Sequence, residues 1–209
     1  MTRSGAVRGY GGVSAADRRA ERRVRLLTVG RSMWGESGLT AVTVRGVCKA
    51  AGLTDRYFYE HFANRTELVL AIADEVRDQL LATMVQAGVA AEGSATDQLE
   101  SALRAFLDAV ASDPNILRIV SSDPVGVDGL AERRHEVLGM IAELVVQYAP
   151  DALGGQPDPD GLRRAALFIT GGVNQLIEGW LDGRVDMTSA ALAAECARLC
   201  VAVLRVPAE

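Results

Sequence analysis

The sequence predicts an all-α protein in which a small N-terminal three-helix unit precedes a larger helical domain. Apolar residues recur at helical spacing, and no sustained run alternates apolar with polar residues as a strand would. A chain of 209 residues with 49% hydrophobic content can bury one large core or two small ones, and no segment is long enough to span a bilayer. We expect an arm at 1–16, a helix-turn-helix domain at 17–66 and a helical domain at 67–209.

The first sixteen residues are rich in glycine and lack the apolar core of a signal peptide, so we expect a disordered arm. The first helix is expected from about Ala16 to Glu36. Its inward stripe is predicted to be Ala20, Val24, Leu27, Gly30 and Trp34. Arginine pairs at 18–19 and 22–23 gather positive charge in the first half of this helix.

The clearest motif is a pair of short helices that meet at Gly52. Apolar residues of the first of these helices fall at i, i+3, i+4 and i+7: Val44, Val47, Cys48 and Ala51. Arg45 and Lys49 lie on the opposite face, and Thr43 is suited to cap the N-terminus. Gly52 can adopt the left-handed conformation that ends a helix.

The second helix of the pair presents hydrogen-bonding and aromatic side chains outward. We expect Thr54 to cap it, and Phe58 and Phe62, one turn apart, to anchor it. The side chains left to project outward are Asp55, Arg56, Tyr57, Tyr59 and His61. Such a face suits phosphate and base contact in a DNA groove better than it suits the alternative, a plain corner between two bundle helices.

Arg56 and Asp55 are the candidate base-reading residues. Arg56 could donate a bidentate pair to guanine, and Asp55 could accept from the amino group of cytosine. Alternatively, the two side chains pair with each other or with phosphate. His61 is not expected to bind a metal, because the only other histidine, His135, has no partner at ligand spacing.

The charge of the chain is divided between its two parts. Residues 1–66 hold 12 Arg or Lys against 5 Asp or Glu, a balance of +7, and residues 67–209 hold 10 against 22, a balance of −12. The formal net charge of −5 therefore conceals a basic module on an acidic body. This division indicates that only the N-terminal part binds a polyanion such as DNA. The arginine pairs at 18–19 and 22–23 are expected to lie close to that DNA.

The fourth helix begins with a capping-box pattern, Asn64 with Glu67 three residues later. Its buried stripe is predicted to be Leu68, Ile72, Val76, Leu80 and Met84. A break is expected at 88–94. The later helices are expected at about 96–112, 114–120, 128–148, 159–180 and 188–206.

Proline and glycine mark the connections of the C-terminal part. Asp113-Pro114 and Asp123-Pro124 each read as a cap followed by proline in the first helical turn. Residues 150–160 contain Gly154-Gly155 and two prolines, so we expect a loop there.

The region from about Arg19 to Met84 closely resembles the helix-turn-helix domain of TetR-type (tetracycline-repressor-like) transcriptional regulators. The most specific match is Tyr59-x-x-Phe62 followed by Asn64-Arg65-x-Glu67-Leu68, which is similar to the family's Tyr-x-x-Phe-x-Ser-Lys-x-x-Leu passage. Two positions depart from the family. Arg56 stands where many members carry a small residue or glycine, which can alter the base that is read. Asn64-Arg65 replaces the commoner Ser-Lys and keeps a cap and a positive charge.

The resemblance implies a homodimeric repressor that binds a near-palindromic operator and releases it when a small molecule binds the C-terminal domain. Four side chains are by resemblance the clamp on the DNA backbone: Thr43, Tyr59, His61 and Arg65. The full set of expected DNA contacts is Thr43, Arg45, Thr54, Asp55, Arg56, Tyr57, Tyr59, His61 and Arg65. In the family the last two helices form a four-helix interface with their copies. The residues expected there are Leu167, Gly171, Gly172, Leu176, Trp180, Leu192, Cys196, Leu199 and Val203.

The C-terminal helices also suggest a pocket. Gly171-Gly172 interrupts an apolar helix at about 1 kcal/mol per glycine relative to alanine, which close approach of a partner helix, or room for a ligand, could offset. Asn174 and Gln175 are polar groups beside apolar positions and need partners. The expected effector pocket comprises Leu103, Phe106, Val110, Met140, Leu144, Tyr148, Phe168, Asn174 and Gln175, with ordinary core as the alternative.

Enzymatic motifs are missing from the sequence. There is no glycine-rich loop between a strand and a helix, no Gly-x-Ser-x-Gly and no His or Cys set at metal spacing, so we expect neither catalysis nor a cofactor. The three cysteines, Cys48, Cys196 and Cys200, fit a reducing cytoplasm, and burial is preferred to a redox switch for the last two. The alternative function is a helical protein-interaction adaptor whose basic end binds an acidic partner and binds DNA without sequence preference.

Overall fold

The computed structural model describes residues 14–122, 126–153 and 158–205. Within these residues all regular structure is helical, which confirms the predicted all-α class. A 3-10 turn, Leu39–Ala41, separates the first two helices. The α-helices are α1 Ala15–Ser37, α2 Val44–Ala51, α3 Asp55–Tyr59, α4 Arg65–Ala90, α5 Ala95–Ser112, α6 Pro114–Val120, α7 Leu130–Leu153, α8 Pro159–Leu181 and α9 Ser189–Leu204.

Helix α1 buries only part of the stripe that its apolar spacing predicts. Gly30 and Trp34 are buried as expected, but the third large contribution is Leu26. The predicted members outside the core are the exposed Ala20 and Val24 and the half-buried Leu27. The reason is the position of α4, which crosses α1 so closely that a β-carbon added at Gly30 would lie 2.7 Å from Ile72 Cδ1.

Helix α4 belongs to both halves of the molecule. Leu68 and Ile72 in its first turns share one core with Phe58 and Phe62 of the helix-turn-helix. The predicted stripe of α4 is confirmed, with four buried members and a half-buried last one: Leu68, Ile72, Val76, Leu80 and Met84. A domain boundary at residue 66 therefore falls at the start of a helix that both halves share.

The helix caps follow the sequence with one difference. Asn64 Oδ1 accepts from Glu67 N at 2.9 Å, but the Glu67 carboxylate accepts from Ala63 N and not from the cap residue itself. The predicted cap at Asp113-Pro114 is confirmed, because the Asp113 side chain accepts from the first amides of α6. Asp123-Pro124 lies outside the described residues.

The later helices have the predicted order but differ at their ends. Helix α4 continues through Gly88 to Ala90, and α7 continues through Pro150 to Leu153, where the sequence predicts a break and a loop. One glycine or one proline weakens a helix locally, and the packing of α4 on α5 and of α7 on α8 outweighs it. Residues 154–157 lie outside the described chain.

Helix α6 is seated directly on α1. Gly35 of α1 allows Asn115 of α6 to approach so closely that an added β-carbon would overlap the Asn115 side chain. The Arg118 guanidinium of α6 also donates to Glu36 O at the end of α1. The C-terminal part is thus joined to the N-terminal part through α6 as well as through α4.

A second core lies between α5 and α9. Leu103 and Leu107 of α5 pack against Leu192 and Cys196 of α9. Helix α8 packs on both α7 and α9. One face of α8 consequently remains on the outside of the protomer.

Candidate DNA-binding surface and effector cavity

Local backbone chemistry shapes the helix-turn-helix. Thr43 Oγ1 accepts from Gly46 N at 3.1 Å, and Gly52 has φ 64° and ψ 32°, so the predicted cap and the predicted left-handed glycine are confirmed. Thr54 occupies the N-cap position of α3, but its side chain makes no capping hydrogen bond. The expectation that its hydroxyl caps α3 is wrong, since α3 is a short helix opened by the Thr54 carbonyl, which accepts from Tyr57 N at 2.9 Å.

The outward face of α3 carries four of the nine candidate DNA contacts: Asp55, Arg56, Tyr57 and Tyr59. Tyr59 is 59% exposed. The Arg56 side chain is 86% exposed and has a loose ion pair with Glu60 at 3.7 Å. The other exposed candidates are Thr43, Arg45, Thr54, Asp55 and Tyr57. Phe58 and Phe62 beneath this face are fully buried, so the exposed side chains are mounted on a packed core.

Arginines of α1 hold the C-terminal end of α3. Arg19 Nη2 donates to Glu60 O at 2.9 Å, and Arg22 pairs with the Glu60 carboxylate at 3.6 Å. The Arg22 guanidinium also lies 4.6 Å from the centroid of the Tyr57 ring. The sequence predicts that these arginines lie near DNA, but it does not predict that they hold the end of α3. A hydrogen bond to the backbone carbonyl of a distant residue has no recognisable sequence pattern.

His61 is half-buried beside those arginines and does not project freely outward as the sequence suggests. Its Nε2 atom is buried and has no hydrogen-bond partner among the described residues. Burial, followed by the charges of Arg19, Arg22 and Arg23, lowers the pKa of the His61 imidazole from its usual value. A neutral imidazole among three guanidinium groups leaves a local excess of positive charge, which attracts phosphate.

The Arg65 side chain makes hydrogen bonds within the protein. Its Nε donates to Val42 O at 2.5 Å and its Nη2 donates to Leu39 O at 2.7 Å. These bonds tie the start of α4 to the 3-10 turn before α2. The resemblance assigns Arg65 to a DNA phosphate, and the structure adds this internal role.

A cavity of about 640 Å³ lies among the helices of the C-terminal part. Most of its wall is aliphatic and comes from α4, α5, α7 and α8, with Leu80, Met84, Leu103, Ile141, Val173 and Ile177 among its members. Trp34 of α1 also lines it. The cavity therefore touches a helix of the N-terminal half directly.

Three of the predicted pocket residues line this cavity: Leu103, Phe106 and Asn174. Val110 is instead fully buried in the main core. The exposed residues that do not line it are Met140, Leu144, Phe168 and Gln175. The reason is helix rotation, because α7 and α8 turn other residues inward, such as Val137 and Ile169. The Tyr148 side chain lies outside the described residues.

Charged side chains gather where α4, α7 and α8 meet the end of α6. Asp74 accepts from Arg77 at 2.7 Å and from Arg133 at 2.6 Å. Arg134 Nη2 donates to Val120 O at 2.9 Å. All four side chains line the cavity, and sequence reasoning missed them, because charges beside an apolar stripe look like an ordinary solvated edge.

The outer face of α8 is apolar and open in the protomer. Leu167 is 58% exposed and Phe168 is 71% exposed. β-Carbons added at Gly171 or Gly172 would have no atom within 4 Å. Leu199 of α9 is also exposed. This face has the small residues and the apolar surface that a partner helix needs.

Other residues predicted at the dimer interface face inward. Leu192 and Cys196 are buried against α5, which covers that side of α9, so they are not available to a second copy. Leu176 and Trp180 pack half-buried on the same core, and Val203 is half-buried on α9. The predicted stripe of α9 is therefore largely an internal one.

The cysteines are buried and free of disulfides. Burial raises the pKa of the Cys48 thiol and of the Cys200 thiol to about 11, and raises that of Cys196. Such thiols are protonated near neutral pH and poorly nucleophilic. Within the part of the chain that the structure describes, no cluster of three or more His, Cys, Asp or Glu could hold a metal, and no helix could cross a bilayer.

Fold and site together define a helix-turn-helix protein with a cavity-bearing helical domain. Residues 26–72 match the family model described as bacterial regulatory proteins of the tetR family. Among curated proteins there is no match. The fatty acid degradation regulator FadR from Bacillus halodurans is similar in structure, with a TM-score of 0.67, 17% identity, and coverage of 88% of this chain and 96% of that chain.

Two further solved structures share the fold. A TetR-family transcriptional regulator from Streptomyces coelicolor has a TM-score of 0.61 and 21% identity over 88% of this chain and 97% of its own. FadR from Bacillus subtilis, solved in complex with stearoyl-CoA, has a TM-score of 0.66 and 17% identity over 85% of this chain and 97% of its own. The resemblance to the TetR family is confirmed: the chain carries the TetR-family helix-turn-helix domain and has the fold of TetR-type transcriptional regulators.

Proposed function

We propose that this protein is a homodimeric transcriptional repressor that binds a near-palindromic operator and releases it when a small, largely apolar effector binds. One observation carries the proposal: α4 and Trp34 each contribute both to the packing of the N-terminal half and to the wall of the cavity. A ligand in that cavity contacts the elements that position α2 and α3. Such coupling requires only that the ligand bind two conformers unequally. Because a transcriptional repressor acts where its operator DNA lies, we infer a cytoplasmic location.

The exposed residues of α2 and α3 support DNA reading. The Arg56 side chain of α3 is 86% exposed, and its loose pair with Glu60 leaves it able to reach a guanine. Tyr59 and the basic surroundings of His61 suit phosphate contact. The basic charge of the N-terminal part supports the same assignment.

The outer face of α8 supports a homodimer. Exposed Leu167 and Phe168 flank Gly171 and Gly172, so a second copy could approach the α8 backbone closely. A dimer places two recognition helices in successive major grooves, about 34 to 36 Å apart. A single α3 would read too few bases for useful specificity.

The cavity supports a largely apolar effector. Its volume of about 640 Å³ lies in the range typical of small-molecule sites. The structure of Bacillus subtilis FadR with stearoyl-CoA supports the idea that this fold holds a ligand with a long acyl chain.

Selection from random DNA separates this function from that of a protein-interaction adaptor. The full chain is incubated with a randomised duplex library, and bound DNA is sequenced at fixed salt, since affinity depends on salt. We expect enrichment of a near-palindrome with half-sites one helical turn apart. An adaptor with a basic end would retain DNA without enriching any sequence.

Arg56→Ala tests the reading residue against a phosphate-binding residue. We expect it to relax sequence preference at one operator position, with a loss of about 1 to 3 kcal/mol there. Tyr59→Phe, the matched comparison, should weaken operator and random DNA alike. If Arg56→Ala leaves relative affinities across the library unchanged, Arg56 does not read a base.

Sedimentation of two aspartate variants tests the dimer. Phe168→Asp places a charge on the outer face of α8 and should yield monomers. Val89→Asp changes a residue of α4 that is 81% exposed and is not among the expected interface residues, so it should remain dimeric. Dimers that persist in Phe168→Asp at the same concentration would move the interface elsewhere.

A further inference from the structure

The arginines at the charged end of the cavity differ in how closely they are paired with carboxylates. Arg77 is bound by Asp74 at 2.7 Å and by Asp78 at 2.8 Å. Arg133 is bound by Asp74 at 2.6 Å. Arg184, the remaining well-paired arginine of the lining, lies 2.7 Å from Asp182. These guanidinium groups have carboxylate partners at close range.

Arg134 is the exception. Among the described residues its nearest carboxylate is that of Glu178, and the Nη1 to Oε1 distance is 3.9 Å. Glu178 has other donors, because Asn174 Nδ2 donates to it at 3.1 Å and Gln175 Nε2 at 3.5 Å. Arg134 and Glu178 are 41% and 39% exposed, and an ion pair that loose and exposed contributes little. The Glu178 pair therefore does little to hold Arg134 against an incoming anion.

The pairing at this end of the cavity favours an anion over a cation, because Arg77, Arg133 and Arg184 each have a close carboxylate and Arg134 has only the loose one of Glu178. Among the described residues, the charged members of the lining are four arginines and three carboxylates: Arg77, Arg133, Arg134, Arg184, Asp74, Glu178 and Asp182. The rest of the wall is mainly aliphatic. A molecule that satisfies both parts has an apolar body and one negative head group, since a guanidinium pairs with a carboxylate through two parallel hydrogen bonds.

Arg134 also holds the end of α6. Its Nη2 donates to Val120 O at 2.9 Å and to Ser122 O at 3.3 Å. Ser122 Oγ in turn accepts from Trp34 Nε1 of α1 at 2.9 Å. A chain of hydrogen bonds therefore runs from α7 through the end of α6 to α1 in the DNA-binding half. We call this chain the Arg134–Ser122–Trp34 link.

We propose, resting on the effector-released function above, that the effector is an amphiphile with an anionic head group that pairs with Arg134 at the mouth of the cavity. The pairing draws the guanidinium away from the carbonyls of Val120 and Ser122. The end of α6 is thereby released from α7, and α1, on which α6 is seated, shifts with it. Arg134 is thus both the head-group ligand and the start of the coupling to DNA.

Three probes with one tail test the head group: dodecanoate, dodecan-1-ol and dodecylammonium, each used below its micelle-forming concentration. Binding to the full chain is measured by calorimetry, and operator affinity is measured separately by fluorescence anisotropy. We expect dodecanoate to bind about tenfold or more tightly than the other two and to lower operator affinity most. Equal affinity for dodecanoate and dodecan-1-ol, tighter binding of dodecylammonium, or no binding of dodecanoate would each overturn the proposal.

Variants locate the effect at Arg134. Arg134→Gln should weaken dodecanoate about tenfold or more and leave dodecan-1-ol unchanged, and Arg134→Lys should restore part of the preference. Arg163→Gln is the matched control, since Arg163 pairs with Glu143 and does not line the cavity. A preference for dodecanoate that survives Arg134→Gln would overturn the assignment.

Ser122→Ala tests the link to DNA separately from binding. It leaves Arg134 in place but removes the acceptor of Trp34 Nε1, so dodecanoate should still bind while its effect on operator affinity falls. An unchanged effect on the operator would overturn the coupling route. If dodecylammonium or dodecan-1-ol releases the operator instead, effector release stands and the anionic head group is wrong; if no bound probe releases it, the effector-released function itself fails.

Discussion

The two halves of the molecule pack their helices in opposite ways. In the N-terminal half, short helices cover aromatic rings that are fully buried, and arginines fasten the connections by donating to backbone carbonyls. In the C-terminal half, longer helices leave a cavity of about 640 Å³ inside and exposed apolar side chains outside. A densely packed element holds one shape, whereas one with internal space can adopt another when a ligand fills it. By this comparison the N-terminal half is the fixed part of the molecule, and the C-terminal half is the part with room to change shape.

The largest expected effect comes from the same substitution made in each half. Phe58→Ala empties a fully buried site and should lower the free energy of unfolding by about 3 to 5 kcal/mol. Phe168→Ala removes a ring that is 71% exposed, so it should leave the fold of the protomer intact and weaken the dimer. Urea unfolding and sedimentation distinguish the two. Similar losses of unfolding free energy in both variants would contradict the contrast between a buried ring in the N-terminal half and an exposed ring in the C-terminal half.

Arg65→Ala should produce the next largest effect. It leaves the carbonyls of Val42 and Leu39 without their charged donor, and hydrogen bonds to charged groups contribute about 1.5 to 3 kcal/mol each. We expect a loss of about 2 kcal/mol in unfolding free energy together with weaker binding to every DNA sequence. Arg104→Ala, which removes an exposed pair with Asp108 at 3.6 Å, is the control and should change stability by less than about 0.5 kcal/mol. Unchanged stability in Arg65→Ala would mean that its role is confined to DNA.

Two glycine substitutions compare a close helix crossing with an open face. Gly35→Ala forces α1 and α6 apart at Asn115 and should destabilise the protein by about 1 to 3 kcal/mol. Gly172→Ala meets open space in the protomer, where alanine favours the helix by about 1 kcal/mol. If a second copy packs on α8, that gain is lost and the dimer weakens. Thermal unfolding of each variant measures its stability, and sedimentation measures its dimerisation.

The pH dependence of His61 should be the smallest effect. Because the folded protein lowers the pKa of His61, the unfolded chain takes up a proton more readily once the pH falls below the usual histidine value of about 6.5. The His61 contribution is therefore fully present above that pH and is lost as the pH falls towards the folded pKa. His61→Gln should flatten the fall in unfolding free energy between about pH 7 and about pH 5. An identical pH profile in wild type and variant would remove His61 from this dependence.

Local chemistry allowed much of the N-terminal half to be predicted from the sequence. The threonine cap of α2, the left-handed Gly52 and the burial of Phe58 and Phe62 depend on residues close in the chain, and each is found as expected. The stripe of α4 was equally accessible, since its period is unambiguous. The TetR-type motif at residues 59–68 also allowed the resemblance to the family to be predicted from the sequence.

The tertiary structure alone decided which face of each longer helix is buried. Apolar residues surround much of α1, α7 and α9, so the choice of Leu26 over Val24, or of an inward Leu192, depends on the position of a neighbouring helix. The internal bonds of Arg65 and the charged end of the cavity likewise join residues far apart in the chain. Sequence spacing determines what can share a face of a helix, but only packing determines which face looks inward, because several rotations bury nearly the same apolar area.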